Sequence, residues 1–176
     1  MALDISDLIE HSESAVALTT HLELARRRLV VANVVWTYTW VDESLALLLA
    51  HYYFPGRSFV ALWRTKKFRR FNYFILEKLS LLEKLDHVRD IRPMTKDVVV
   101  FIQRLNGLRN ALAHTFFPEN LKGRRTDWRG KDVFSIEGFR SFEADADVAR
   151  EYFVPESPGV NVRGLYRPKA IREDEG

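Results

Sequence analysis

The segment from Arg109 to His114 carries side chains that could bind a phosphate group and transfer a proton. It reads Arg-Asn-Ala-Leu-Ala-His and places an arginine, an amide and a histidine within about one and a half helical turns. An arginine stays charged and presents a planar fork that fits phosphate. An unperturbed histidine titrates near pH ~6.5, which suits proton transfer at neutral pH. Acting together, these residues favour nucleic-acid chemistry; otherwise the segment is a polar surface on a helical bundle.

A helical wheel places these side chains on different faces of one helix. The apolar stripe of that helix consists of Val98, Phe101, Leu105, Leu108 and Leu112. At about 100° per residue, His114 falls opposite the stripe beside Asn110, whereas Arg109 lies at its edge, about 140° from His114. The site is therefore predicted to be completed by a second subunit under two-fold symmetry. An arginine near the core edge also needs a carboxylate, and the candidates are Asp42 and Glu43.

Apolar residues recur at steps of three and four through most of the chain, which predicts helices. The predicted helices run from Ile5 to Leu18, from Glu23 to about Phe54, from Phe59 or Phe71 to Val88, from a Thr95 cap to a point before Pro118, and from Ile136 to Phe153. The first two could be a single helix. The expected fold is all-α, an antiparallel up-and-down bundle of four main helices plus a fifth, C-terminal helix.

The rest of the chain is predicted to be less regular. The bundle is expected to span residues 1–154, and residues 155–176, rich in proline and glycine, form a loosely held tail. Residues 120–130 are basic and polar, which predicts an exposed loop, and residues 132–135 could form a brief extended segment.

The composition excludes several classes of protein. Of the 176 residues, 47% are hydrophobic and 29% are charged, as in an ordinary globular domain. No apolar run is long enough for a membrane-spanning helix, and the acidic start is unlike a signal peptide. The absence of cysteine excludes disulfides, thiolate nucleophiles and thiolate-ligated zinc. A cytoplasmic protein without a membrane partner is the expectation.

Two basic clusters are candidates for binding a phosphate backbone. The first consists of Lys66, Lys67, Arg69 and Arg70, and the second of Lys122, Arg124, Arg125, Arg129 and Lys131. From these we select Lys66, Lys67, Arg69, Arg70, Arg124 and Arg125 as substrate-binding candidates. Solvated turns flanking helices are an equally good interpretation of either cluster alone.

Other polar and aromatic residues favour structural roles. The histidines at 11, 21, 51 and 87 lack metal-type spacing, so no metal site or cofactor is predicted. Glu143, Asp145 and Asp147 are expected on the solvated face of the last helix. The aromatic residues Trp36, Tyr38, Trp40, Tyr52 and Tyr53 could stack on bases, but at helical spacing core or dimer packing is the preferred interpretation.

The segment 109–114 resembles the signature of HEPN domains (higher eukaryotes and prokaryotes nucleotide-binding). In that signature an arginine, usually followed by a polar residue, precedes a histidine by four to six intervening residues; here Asn110 is the polar residue and four residues intervene. The stretch from Val41 to Leu45 is similar to the family's second-helix segment, in which an acidic residue supports the arginine. By helix pattern, the resemblance covers roughly residues 5–153.

This resemblance implies a metal-independent endoribonuclease that acts on RNA as a homodimer with its cleft between the subunits. Many family members are toxins of toxin–antitoxin or other defence systems, so a cognate antitoxin protein is an expected partner. Arg109 would polarise the scissile phosphate, His114 would act as general acid/base, Asn110 would hold the phosphate or orient the histidine, and Glu43 would fix Arg109. The alternative is a non-catalytic HEPN-like bundle that binds RNA or protein.

One position departs from a subgroup of these toxins. In that subgroup a tyrosine two residues after the histidine is modified by a partner nucleotidyltransferase. Phe116 stands at this position and has no hydroxyl group to modify.

Overall fold

Helices make up nearly all of the described chain, which a computed structural model gives for residues 15–113 and 126–153. Side-chain environments are described from residue 20 onward. The helices form an all-α bundle with one two-stranded hairpin, which confirms the predicted fold class. No helix within these ranges combines the length and the hydropathy needed to cross a membrane. The predicted tail, residues 155–176, lies outside the described residues.

Helix α1, Ala15–Tyr53, is the longest element and forms one side of the bundle. It runs without interruption through residues 18–23, so the predicted boundary there is wrong and the alternative of a single helix is confirmed. No proline or glycine occurs between residues 15 and 53, so nothing in the backbone chemistry requires a break there. The helix ends at Pro55-Gly56, as predicted, and Gly56 adopts the left-handed conformation (φ 77°) that glycine tolerates.

The single third helix predicted to end at Val88 is instead four shorter elements. These are α2 (Phe59–Trp63), α3 (Lys66–Phe71), a π-helical segment (Asn72–Leu76) and α4 (Leu81–Ile91). Ser58, Thr65 and Ser80 each accept a backbone N–H bond at a helix N-terminus, and Ser80 forms a reciprocal capping box with Glu83. Because these hydroxyl residues cap new helices, the periodic pattern does not produce one continuous helix.

The next two helices begin where they were predicted to begin, and the predicted end of the first, before Pro118, lies outside the described residues. Helix α5, Lys96–Ala113, begins after Thr95, whose hydroxyl accepts from the Val98 N–H at 3.5 Å. Helix α6, Ile136–Phe153, has the predicted bounds. The core lies between α1, α4, α5 and α6, and the whole predicted apolar stripe of α5 is buried in it.

A two-stranded hairpin precedes α6. Strand β1 (Asp127–Trp128) pairs antiparallel with β2 (Lys131–Asp132), and the turn places Arg129 and Gly130 at positive φ (51° and 80°). The prediction that residues 120–130 form an exposed loop is wrong for Trp128, which is fully buried against Phe101 and Phe142. The segment is buried at this position despite its polar neighbours, because burying a side chain as large as an indole is strongly favourable in free energy.

Candidate active site

Arg109 lies on the inner side of α5, where its guanidinium covers an aromatic ring of α1. The guanidinium carbon is 4.9 Å from the centroid of the Tyr38 ring, and both side chains are half-buried. This distance is within the range of a cation–π interaction. Stacking on a ring leaves the edge of the guanidinium plane, and therefore its N–H groups, available for hydrogen bonds.

The side chain of Asn110 accepts a hydrogen bond from one of those N–H groups. Nη1 of Arg109 donates to Oδ1 of Asn110 at 3.2 Å. The wheel separates adjacent residues by about 100°, but the long arginine side chain spans this gap. The predicted catalytic residues Arg109 and Asn110 are thus in contact, and the amide holds the guanidinium in place over Tyr38. No described carboxylate forms an ion pair with Arg109.

Asp42 lies near this pair but is bound by a different cation. Its Oδ2 accepts from Nζ of Lys84 at 2.7 Å, and Lys84 is only 5% exposed. The pKa of Tyr38 is raised, first by burial of the hydroxyl and next by the negative charge of Asp42, while the charge of Arg109 lowers it. The charges of Asp42 and Arg109 therefore act in opposite directions on the pKa of the same tyrosine. The described ion pair of Asp42 is with Lys84, so its predicted support of Arg109 stays a prediction.

Two members of this cluster, Lys84 and Tyr38, were missed as site residues in the sequence. Lys84 had a detectable signal, because it falls between Leu81, Leu85 and Val88 on the buried face of α4, at a position where an apolar residue is normal. A lysine there requires a buried acidic partner. Tyr38 was interpreted as a packing residue, and its hydroxyl gave no separate signal.

Glu43, the second supporting candidate, lies elsewhere on α1. It is exposed and about 100° further round the helix than Asp42. No ion pair joins Glu43 to Arg109 within the described ranges. The predicted support of Arg109 by Glu43 remains a prediction, and the described contacts within one subunit do not provide it.

His114 and part of the second basic cluster lie outside the described residues. The last described residue of α5 is Ala113, so the position of His114 relative to Arg109 is not given. The same holds for Lys122, Arg124 and Arg125. Their assignments remain predictions.

The first basic cluster belongs to a longer positively charged segment, residues 57–76, which we call the basic segment. It holds six exposed cations and no acidic residue: Arg57, Arg64, Lys66, Lys67, Arg69 and Arg70. None of the six forms an ion pair with a described acid. Exposed aromatic side chains accompany them, namely Phe59, Trp63, Tyr73 and Phe74. The segment therefore presents positive charge, without an ion pair to any acid of the described ranges, beside exposed rings.

The basic segment is anchored far from Arg109. Lys67 Nζ lies 5.7 Å from the Phe54 ring centroid, and Phe68 is buried against the same phenylalanine. Phe54 follows the C-terminus of α1, 16 residues after Tyr38. At 1.5 Å per residue the two positions are about 24 Å apart along the helix. One subunit therefore does not combine the basic segment and Arg109 in a single small pocket.

The described cations of the second cluster are neutralised locally. Arg129 forms two hydrogen bonds with the carboxylate of Asp145, and Nζ of Lys131 lies 3.4 Å from Glu137. Asp145 also accepts from the indole N–H of Trp128 at 2.9 Å. The expectation that Asp145 is a solvated surface residue is therefore wrong; it fastens the hairpin to α6.

The predicted structural roles of the other histidines and of the aromatic residues are met only in part: Trp36, Tyr52 and Tyr53 are exposed, and His11 lies outside the described residues. His21 and His87 are exposed, whereas burial lowers the pKa of the half-buried His51. Trp40 packs edge-on against Phe153, with ring centroids 5.7 Å apart. Among the described residues no group of three potential ligands could hold a metal ion.

Comparison with known proteins adds no information on the function of this chain. No protein-family model, curated protein or solved structure matches the chain.

Proposed function

We propose that this protein is a metal-independent endoribonuclease of HEPN type. The observation that carries the proposal is the state of Arg109: a half-buried guanidinium, stacked on Tyr38 and held by Asn110, without a described carboxylate partner. A half-buried cation that has no counter-ion among the described residues would be stabilised by a phosphate group. His114 follows after four intervening residues, which supplies a proton-transfer group close in sequence.

In this proposal Arg109 binds the scissile phosphate of RNA through charge-assisted hydrogen bonds. His114 removes the proton from the 2′-hydroxyl, or protonates the leaving 5′-oxygen. The 2′-oxygen forms a bond to phosphorus as the bond from phosphorus to the 5′-oxygen breaks. The products are a 2′,3′-cyclic phosphate and a free 5′-hydroxyl, so the reaction needs no metal ion and no oxidant.

The proposed site is composite. On one straight helix the directions of Arg109 and His114 differ by about 140°, which separates their functional groups. A homodimer with two-fold symmetry would place the arginine of one subunit beside the histidine of the other. A role as the toxin of a toxin–antitoxin or other defence system, with a cognate antitoxin protein, belongs to the same proposal, as does a cytoplasmic location.

The basic segment fits the role of a second contact with RNA. Lys66, Lys67, Arg69 and Arg70 would bind the backbone, and the exposed aromatic residues would stack on unpaired bases. An RNA strand held there and cleaved at Arg109 would have to follow α1 for about 24 Å. Binding through these cations must weaken with added salt, and an affinity independent of salt would exclude them from the interface.

The deciding experiment uses purified protein, a labelled single-stranded RNA and excess EDTA. We expect cleavage with cyclic-phosphate and 5′-hydroxyl ends. Replacing the nucleotide 5′ to the cleaved bond with its 2′-deoxy form should abolish that cut and leave the others. Cleavage that requires a divalent metal, or that proceeds at the 2′-deoxy position, would refute the mechanism.

A second function, RNA binding without cleavage, is favoured by the distance between the basic segment and Arg109. Six exposed cations and several exposed rings can bind RNA without any contribution from the segment 109–114. The same preparation distinguishes the two. Salt-dependent RNA affinity with no cleavage, unchanged by Arg109→Ala, would select the binding function.

A further inference from the structure

The N-terminal half of α1 carries an apolar stripe that faces solvent. Its residues recur at alternating steps of three and four: Leu22, Ala25, Leu29, Ala32, Trp36 and Thr39. This is the seven-residue repeat of helices that pack in pairs. All six side chains are exposed, with Leu22 at 63%, Leu29 at 71% and Trp36 at 56%. We call this set the α1 stripe.

The α1 stripe is not part of the face that packs into the bundle. The buried face of α1 contains Val30, Val34, Val41, Leu45 and Leu48. On a wheel this face is rotated from the stripe by about 150°. On its bundle-facing side this part of α1 contacts the rest of the described chain, since the Arg27 guanidinium lies 5.3 Å from the Phe134 ring centroid. The stripe lies on the other side, and an exposed apolar stripe of this regularity is typical of an interaction surface.

We propose that the α1 stripe binds the same stripe of a second copy of this chain, as an antiparallel helix pair. The argument for a second copy is the alternation of side-chain size along the stripe. If Leu29 lies opposite Ala32 of the other copy, then Trp36 lies opposite Ala25 and Leu22 opposite Thr39. Each large side chain then packs against a small one. Both subunits make the same set of contacts, as two-fold symmetry requires.

The charges flanking the stripe favour the antiparallel direction. Residues 26–28 are three consecutive arginines. Arg26 and Arg28 flank the stripe, whereas Arg27 lies on the opposite face of α1, 5.3 Å from the Phe134 ring centroid. A parallel, in-register pair would bring the four flanking arginines of two copies together, and like charges at that separation repel. In the antiparallel register the arginines of one copy lie beside residues 33–35 of the other, Asn-Val-Val, which carry no charge. Glu23 further compensates Arg26 and Arg27 within each copy.

This contact is separate from the proposed catalytic groove. Tyr38, and Arg109 above it, lie on the side of α1 roughly 160° from the stripe. Pairing through the stripe therefore leaves both Arg109 side chains accessible, and it does not depend on the ribonuclease proposal. Arg150 of α6 covers one face of Trp36, at 5.7 Å, and leaves the rest of that ring exposed.

The first test measures the mass of the full chain by light scattering. The double variant Leu22→Glu/Leu29→Glu should halve the mass of the wild-type assembly. The matched control Val60→Glu/Leu82→Glu, which places two glutamates at exposed apolar positions outside the stripe, should leave the mass unchanged. Circular dichroism checks that both variants remain helical. A monomeric wild type, or a stripe variant of unchanged mass, overturns the proposal.

The second test determines the direction of pairing, and the absence of native cysteine makes it simple. A mixture of Leu29→Cys and Ala32→Cys proteins should form a disulfide-linked heterodimer on mild oxidation. Ala25→Cys alone should not cross-link, because the antiparallel register separates its two copies by about 16 Å along the axis. Efficient self-cross-linking of Ala25→Cys would instead demonstrate a parallel pair and overturn the antiparallel register.

Discussion

Arg109 and Tyr38 are joined by a cation–π contact of 4.9 Å between the guanidinium carbon and the ring centroid. The contact connects α5, which carries the proposed catalytic segment, to α1. It also places the arginine near Asp42, whose charge raises the pKa of the same tyrosine. The position of Arg109 is thus set by residues from two helices.

Substituting lysine for Arg109 should reduce RNA cleavage by about 100-fold or more, the size of effect seen when one donor to a developing charge is lost. A lysine keeps the charge but cannot stack flat on Tyr38 while donating from a planar fork. The measurement is the single-turnover cleavage rate. Arg104→Lys, at an exposed position of the same helix, is the control. Equal rates for the two variants would remove Arg109 from the site.

Replacing His114 with alanine should abolish RNA cleavage without unfolding the protein, because the predicted role is proton transfer and not packing. Cleavage and thermal unfolding are measured on the same preparation. His87→Ala, at an exposed position on α4, should retain full activity. Full activity in purified His114→Ala protein would reject the assignment.

The buried ion pair between Lys84 and Asp42 should contribute measurably to stability. Lys84→Met leaves the Asp42 carboxylate without its cation and should lower the free energy of unfolding by about 2 kcal/mol. This is less than the roughly 3–5 kcal/mol of a fully buried pair, because the Asp42 side chain is 29% exposed. Urea denaturation measures the change. The double variant Lys84→Met/Asp42→Asn should cost less than the sum of the single changes, and strict additivity would show that the pair is not coupled.

His51 should make the protein less stable in mild acid. Burial lowers its pKa in the folded state below the ordinary value of 6.5, so the unfolded state binds the proton more readily. The stability contribution is present above pH 6.5 and is lost as the pH falls from 6.5 through the lowered pKa. Urea midpoints at pH 7.5 and 5.5 should differ less in His51→Gln than in the wild type. His87→Gln serves as the exposed control, and an equal flattening there would contradict the attribution.

Asp145 should matter more to stability than its exposed neighbour Asp147. Asp145→Asn weakens the bonds from the Trp128 indole and from Arg129, and should cost about 1–2 kcal/mol. Among the described residues Asp147, whose side chain is 64% exposed, pairs with Arg150 of the same helical turn, so Asp147→Asn should change stability by less than about 0.5 kcal/mol. Chemical denaturation followed by Trp fluorescence compares the two. Equal costs would show that the hairpin is not held through Asp145.

Sequence periodicity was sufficient for the helices whose ends carry strong local signals. Helix α6 has its predicted bounds, and α5 begins after its Thr95 cap. Periodicity failed between residues 59 and 91, because Thr65 and Ser80 can stand within a helix or cap a new one, and only tertiary packing decides. The burial of Trp128 could not be predicted from periodicity either, because its indole N–H bonds to Asp145, 17 residues further along the chain.

The candidate site was predictable only where it is local. The sequence identifies Arg109 and Asn110 as neighbours, but the helical wheel separates their directions by about 100°, so the hydrogen bond between them is known only from the structure. The contacts with Tyr38, and from Asp42 to Lys84, join residues 71 and 42 positions apart and depend on how α1 packs against α5 and α4. A sequence pattern identifies a carboxylate in the right helix but does not determine which cation it will bind.

Because α1 is one continuous helix, it fixes the distances between the surfaces that it carries. One unbroken rod carries the stripe, Tyr38 and the residues that anchor the basic segment, so the spacing between these features cannot vary independently. In the antiparallel pair the two basic segments would lie at opposite ends, about 70 Å apart along the shared axis. A single residue inserted near the middle of α1 would rotate everything after it by about 100°, so neither the stripe nor the buried face would remain continuous.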